Sequence, residues 1–374
     1  MKTRSDSGSV VLKNVLPPSQ GSSTAPYSAV LTKELSKFIK LEVITSSPNL
    51  FKNIRGIHFK SIPLTRHINN LGVFMAQQWF WMNYEYNQHD IILAVNQFEV
   101  LPFVRFKQIA VIHDLVPLIF PKEYGSYRYY HTVLPVAAKS ATHIVAPSEN
   151  TKRDIMRFFN IHEAKITVIH CGPGFMSAEL PVDEISDHAQ SDRGAIEDRY
   201  ILYIGGQSYH KNLIRLLQSY NILKNKCDLK LVIIGTPHPR ITPLLLEYCK
   251  SNDLQNRVVF TGIVNNAELI AFYKKAMLFV FPSLYEGFGL PPLEAMSLGV
   301  PVVASRASCI PEVCGDAAYY VDPYDIMDIT NKINEVLTNH ELRNDLIRKG
   351  FERVKLFSWE KTAEKFLKLL QIIA

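Results

Sequence analysis

Short β-branched and aliphatic runs alternate along the chain with longer stretches whose apolar residues recur every three or four positions. The first runs are SVVLKNVL (9–16), LEVITS (41–46), DIILAV (90–95), QIAVIHD (108–114), THIVAPS (142–148) and KITVIH (165–170). Between them the helical period predicts helices near 26–39, 71–87 and 127–139, and Ser148 stands where it can cap another over ENTKRDIMRFF. Strand and helix taking turns is the pattern of a parallel sheet covered on both faces. From about 176 to 198 the periodicity fails, and the polar, acidic SAELPVDEISDHAQSDRGAIEDR predicts a connection between domains. Alternation then resumes with RYILYIGG (199–206), LKLVIIG (229–235), RVVFTG (257–262), MLFVFPS (277–283) and VPVVAS (300–305), with helices near 211–224, 242–250 and 266–275. The expectation is an α/β fold of two facing, doubly wound parallel-sheet domains, over 1–178 and 196–355, with ligands at the carboxyl ends of the strands. The last helix, near 359–372, gathers Phe366, Leu367, Leu369, Leu370 and Ile373 on one side. The segment 356–374 is expected to pack back across the domains onto the N-terminal one, the alternative being a helix lying on a membrane surface.

Composition agrees with two cores, since 374 residues at 47% apolar content exceed what one ordinary domain needs. Charge separates the halves: residues 1–180 hold 19 Lys and Arg against 12 Asp and Glu, whereas 181–374 hold 22 against 23. The basic half either meets something anionic or presents a solvated basic surface. It contains no recognisable nucleic-acid module and no basic run interleaved with aromatics, so no nucleic acid is expected. Its aromatic residues, among them Trp79, Phe80, Trp81, Tyr84 and Tyr127, suit a core, a sugar-stacking surface or a membrane contact. Five cysteines without a C-x-x-C spacing suit free thiols in a reducing compartment and no zinc site. MKTRSDSGSVVLKN lacks an apolar run of signal-peptide length, and no stretch reaches the ~20 apolar residues of a membrane span. A cytoplasmic protein is expected, with any membrane contact peripheral and at the inner face.

The stretch FPSLYEGFGLPPLEAMSLGVPVVAS (281–305) carries the most chemistry. Glu286 precedes Gly287-Phe288-Gly289, a turn whose glycines let a backbone approach a ligand closely. Leu290 and the prolines Pro291 and Pro292 stand where a helix starts, Glu294 falls in its first turns, and Gly299 can end it. Such a terminus offers unpaired N–H groups and the positive end of a helix dipole to an anion, typically a phosphate. Seven residues separate Glu286 from Glu294, so one carboxylate belongs to the loop and the other to the helix. Taken alone, Glu294 reads as a capping or surface carboxylate. Glu286, in an otherwise apolar run, needs a partner.

Residues 281–294 resemble the E-x7-E signature of the retaining glycosyltransferases of family 4, which have the GT-B fold. The likeness runs from about 108 to 325 and includes IHDLVPLIFP (112–121), APSENTKRDI (146–155), KITVIHCG (165–172), LYIGGQSYHKN (202–212), VVFTGIV (258–264) and ASCIPEVCGDAAYYVDP (307–323). It implies that Glu286 contacts the transferred sugar, Glu294 the nucleotide's ribose, and the amides of Gly287, Phe288, Gly289 and Leu290 the diphosphate. Lys211 matches the family's diphosphate lysine and His113 a histidine beside the donor sugar; without the motif, a surface lysine and a strand-capping histidine paired with Asp114 would serve. Gly205, Gly206 and Gly235, at strand ends, and Gly21, in PPSQGSSTAP (17–26), join the expected donor contacts, although relatives often carry a glycine pair at the last of these. Many relatives also place Arg where this chain has Gln207, leaving His210, Arg215 or Arg240 as substitutes.

The resemblance implies transfer of a hexose, mannose being a candidate, from GDP-mannose or a UDP-hexose to a saccharide or lipid-linked saccharide, as in polysaccharide or O-antigen assembly. No Asp-x-Asp occurs, so no essential metal is expected, and Gly205-Gly206-Gln207 falls short of an NAD fingerprint, so the nucleotide sugar enters as substrate with no cofactor. A nucleotide-sugar 2-epimerase of the same fold, with His113 or Glu286 as acid or base, and a non-catalytic nucleotide-sugar-binding partner are the rivals.

Overall fold

The computed structural model describes residues 10–14, 24–45, 47–61, 90–102, 106–174 and 199–374. The described residues divide into two compact units. One holds those up to Cys171 together with Trp359–Ala374, and the other holds those from Gly172 to Ser358.

In the first unit seven parallel strands are ordered β3-β2-β1-β4-β5-β6-β7. They are β1 (Val10–Asn14), β2 (Leu41–Thr45), β3 (Ile57–Ser61), β4 (Ile91–Ala94), β5 (Lys107–Val111), β6 (His143–Ala146) and β7 (Ile166–Val168). Central strands such as β4, IILA, are buried at every position, as burial on both faces requires. The edge strand β3, IHFKS, was not expected from the sequence, because polar residues interrupt its apolar positions and His58 and Lys60 are exposed. Helix α1 (Thr24–Ser36) packs against the C-terminal helix α12 (Trp359–Ile373), whose Phe366, Leu369 and Leu370 are buried whereas Leu367 and Ile373 are only half-buried. The Thr362 hydroxyl donates to the His170 carbonyl at 2.8 Å and fixes the register of that docking.

The helix expected near 127–139 forms in two pieces. A π turn over Tyr129–Val133 precedes α3 (Leu134–Ser140), with α2 (Val116–Ile119) before both. Pro135 has no N–H to give to His131, and the Leu134 N–H reaches back to the Tyr129 carbonyl. Ser148 caps α4 (Glu149–Phe159), its Oγ accepting from the Thr151 N–H at 3.1 Å. The helix expected near 71–87, the loop carrying Gly21, and Trp79, Phe80, Trp81 and Tyr84 lie outside the described residues.

The second unit repeats the plan with six parallel strands in the order β10-β9-β8-β11-β12-β13. They are β8 (Tyr200–Ile204), β9 (Lys230–Ile234), β10 (Val258–Gly262), β11 (Ala276–Phe281), β12 (Val302–Ser305) and β13 (Ala318–Val321). Its helices are α5 (Leu213–Leu223), α6 (Thr242–Ser251), α7 (Asn266–Lys275), α8 (Leu290–Ser297), α9 (Ile310–Cys314), α10 (Ile326–Thr338) and α11 (His340–Val354). In each sheet the chain reverses its direction of winding between the first and fourth strands, β1 and β4 in one and β8 and β11 in the other. In sheets of this kind, ligands bind outside the carboxyl ends of the strands at that point.

Candidate functional site

The motif residues of the second unit gather at the carboxyl ends of β8 and β11, its reversal point. After β8 the ladder continues through glycines: Gly205 N–H donates to Ile234 O and Gly235 N–H to Gly262 O, both at 2.9 Å. A Cβ on Gly235, at φ +142°, would lie 2.1 Å from the Gly205 carbonyl oxygen. Neighbouring backbone therefore accounts for that glycine without a ligand. Gly206 is different, since a Cβ there would meet nothing closer than the Thr236 carbonyl at 4.0 Å.

The turn Tyr209–Lys211 is tied to the loop after β11. Leu284 N–H donates to the His210 carbonyl at 2.7 Å, and the buried Asn212 amide donates to the carbonyls of Pro282 (3.0 Å) and Pro323 (2.7 Å). Asn212 takes up the left-handed conformation, φ +62°, which asparagine tolerates better than most residues. This lashing brings Lys211 Nζ to 2.7 and 2.9 Å from the two carboxylate oxygens of Glu286. Both side chains are largely buried, so the pair is screened less than a surface salt bridge and each charge depends on the other. The Glu286 backbone is fixed as well, its N–H donating to Ser308 Oγ at 2.9 Å and its carbonyl accepting from the Cys309 thiol at 3.1 Å.

Beyond Glu286 the Gly287-Phe288-Gly289 turn feeds α8. Gly289 takes up φ +88° and Pro291 lies within the first helical turn, so the turn's glycine and the helix's proline occupy the places their backbone geometries favour. The other end closes as a Schellman motif, with Gly299 at φ +72° donating to Met296 O and Val300 N–H donating to Ala295 O. Glu294 is buried within α8 rather than exposed as a cap. Tyr273 Oη donates to its Oε2 at 2.9 Å and Gly174 N–H to its Oε1 at 3.2 Å. Burial pushes this carboxyl up to about 6, against the opposing pull of those two hydrogen bonds.

Where relatives often carry Arg, Gln207 is buried and neutral, its Oε1 accepting from Thr242 Oγ1 at 2.6 Å. His210 does not restore the charge, because burial and the adjacent Lys211 push its imidazole well below its usual value. Arg215 donates to Asn212 Oδ1 at 2.9 Å and lies over the Tyr324 ring, 5.2 Å from its centroid, while Arg240 is exposed. Lys211 is thus the cation placed beside Glu286. Tyr273, Gly174, Asn212 and Ser308 were not singled out in the sequence, although Asn212 ends the quoted motif LYIGGQSYHKN.

In the first unit His113 follows β5 by two residues. Its Nε2 is 2.7 Å from the Val95 carbonyl, which can only accept, so Nε2 carries the proton and Nδ1 keeps its lone pair. The His113 backbone N–H donates to Gln97 Oε1, and the ring meets Tyr27 edge-on at 4.7 Å. Burial lowers its pKa, leaving a neutral imidazole at neutral pH. Asp114 accepts from the Val116 N–H and so organises the following loop. Among the described residues no group of His, Cys, Asp or Glu could hold a metal, the five cysteines are free, and no helix is long and apolar enough to cross a membrane.

Residues 187–353 match the family model for group 1 glycosyl transferases, and residues 27–172 that for Glycosyltransferase Family 4. O-antigen chain mannosyltransferase B of Escherichia coli is 30% identical over 284 residues, covering 73% of this chain and 72% of that protein. The serotype-specific mannosyltransferase WbdA of E. coli is 29% identical over 278 residues; the match covers 72% of this chain but only 34% of WbdA's length. The sucrose-phosphate synthase of Thermosynechococcus elongatus superposes with a TM-score of 0.77 over 98% of this chain and 99% of its own, at 19% identity, a likeness of fold.

Proposed function

Since the chain belongs to the family of group 1, family 4 glycosyltransferases, we propose that it transfers mannose from a nucleoside diphosphate mannose to a saccharide or lipid-linked saccharide, with retention at the anomeric carbon. The observation that carries this reading is the Lys211–Glu286 pair at the reversal point of the second sheet, with the α8 amino terminus beside it and Glu294 on that helix. The mannosyltransferases among its relatives support the choice of sugar.

The diphosphate takes the amides of the Gly287 to Leu290 turn, and Lys211 turns from Glu286 toward the leaving phosphate. Glu286, released from its cation, accepts from hydroxyls of the sugar. Glu294 accepts from the two ribose hydroxyls, which are donors matched to a carboxylate. As the bond from the anomeric carbon to the phosphate oxygen breaks, the acceptor oxygen bonds to that carbon from the same face. Its proton passes to the departing phosphate, whose charge is held by Lys211 and the loop amides. No cofactor enters this scheme.

Thermal unfolding with GDP, GDP-mannose, UDP and UDP-hexoses tests the reading. A ligand at 100 times its dissociation constant stabilises by about 2.7 kcal/mol. The guanosine ligands should shift the transition, and Lys211→Ala and Glu294→Ala should weaken the shift. A shift with uridine ligands alone would overturn the choice of donor, and no shift with any nucleotide would overturn the donor site.

A further inference from the structure

We propose that Tyr273 and Gly174 form a clamp that orients the Glu294 carboxylate toward the ribose, Tyr273 acting as a positioning residue. The inference rests on the donor-site reading above. Tyr273 lies near the end of α7, fully buried, with its ring against Phe279 at 5.7 Å, so the phenol has little freedom to swing away. Its hydroxyl lies 2.9 Å from Glu294 Oε2 and 3.2 Å from the Pro291 carbonyl. A phenol has one proton, and the closer, charged oxygen takes it. The Gly174 N–H donates to the other carboxylate oxygen at 3.2 Å.

Each carboxylate oxygen has about two acceptor sites, and the clamp uses one on each. One remains on each oxygen, a pair of neighbouring acceptors suited to the vicinal hydroxyls of a ribose. Gly174 also sets the clearance. A Cβ there would lie 2.6 Å from Oε1, so a side chain at 174 must push the carboxylate off its line. The hydrogen-bonding groups facing the carboxyl are the Tyr273 phenol and the Gly174 N–H, and no cationic side chain pairs with it among the described residues. Both contacts favour the ionised form against burial, so removing either raises the pH at which the carboxyl ionises.

The test uses Tyr273→Phe and Gly174→Ala in the full chain. Calorimetric titration with GDP and UDP is combined with initial rates against donor concentration, between pH 5.5 and 8. Tyr273→Phe keeps the ring and its packing. Gly174→Ala provides an independent arm, since it opens no cavity. Each variant should raise the nucleotide Kd and the donor KM about tenfold, the scale of one hydrogen bond to a charged group, with kcat within about twofold. Tyr273→Phe should also move the acid limb of nucleotide binding to higher pH, a change that loss of packing alone would not cause. Unchanged Kd and an unchanged acid limb in folded variants would overturn the clamp while leaving the donor site standing. A fall in kcat at constant KM would likewise overturn it. No nucleotide binding by the wild-type chain would instead refute the donor-site reading, and the clamp with it.

Discussion

Keeping an ionised carboxylate ready inside α8 costs stability, and the cost is readable as a pH dependence. Burial raises the Glu294 carboxyl from 4.5 to about 6. At about 1.4 kcal/mol per tenfold, that gap corresponds to about 2 kcal/mol. Because the folded-state value is the higher one, the carboxyl's contribution is fully present below pH 4.5 and is lost as the pH rises through about 6. Glu294→Gln removes the titration. The glutamine amide has one oxygen for two donors, Tyr273 and Gly174, and the unmatched one costs about 1 kcal/mol at every pH. That constant cancels when the variant is compared with wild type across pH. The variant should therefore gain about 2 kcal/mol relative to wild type between pH 4.5 and 7. Urea unfolding followed by circular dichroism reads this gain in the transition of the second unit. With a slope of about 2 kcal/mol per molar urea, the difference in midpoints should move by about 1 M. A difference that stays flat with pH, or a variant that loses stability relative to wild type as pH rises, would show that Tyr273 and Gly174 outweigh burial and would refute the reasoning.

Three further outcomes follow from the geometry. Burial lowers the pKa of His113, so its ring resonances should not titrate between pH 8 and 6.5 by NMR, and the stability its neutral form contributes should be lost as the pH falls through that lowered value. A midpoint above 6.5 would contradict the buried, neutral assignment. Gly235→Ala places a Cβ 2.1 Å from the Gly205 carbonyl oxygen at φ +142°, so soluble yield and thermal stability should collapse, and a wild-type melting curve would refute the packing account. Phe366→Ala empties a fully buried position where α12 packs into the first unit, and should cost about 3–5 kcal/mol in that unit's unfolding; a loss under about 1 kcal/mol would mean that the helix is not docked there.

The parallel sheets were legible because strands such as IILA and YILYI are buried along their whole length and so spell uninterrupted apolar runs. β3 was not, because its polar edge positions break that run. Nor was the π turn before Pro135, which depends on a missing N–H rather than on any periodicity. At the site, Glu286 announced itself because a charged side chain in an apolar, glycine-flanked stretch has to be explained, whereas Lys211 and Glu294 were legible only through the resemblance of their motifs to the family's. The groups that hold those charges carry no comparable mark. Tyr273 reads as one more apolar residue of an amphipathic helix until its hydroxyl is placed 2.9 Å from Glu294. Gly174 contributes a backbone N–H, which nearly every residue possesses, and only the 2.6 Å clearance shows why a glycine stands there. Even the spacing of Glu286 and Glu294 hides their difference. Lys211 pairs with the first carboxylate, whereas the second is held by two neutral donors and ionises only above about pH 6. On the proposed donor-site reading, two glutamates eight positions apart answer to different ligands: the first exchanges a cation for a sugar, and the second needs only hydroxyl groups to fill the acceptor sites left open by Tyr273 and Gly174.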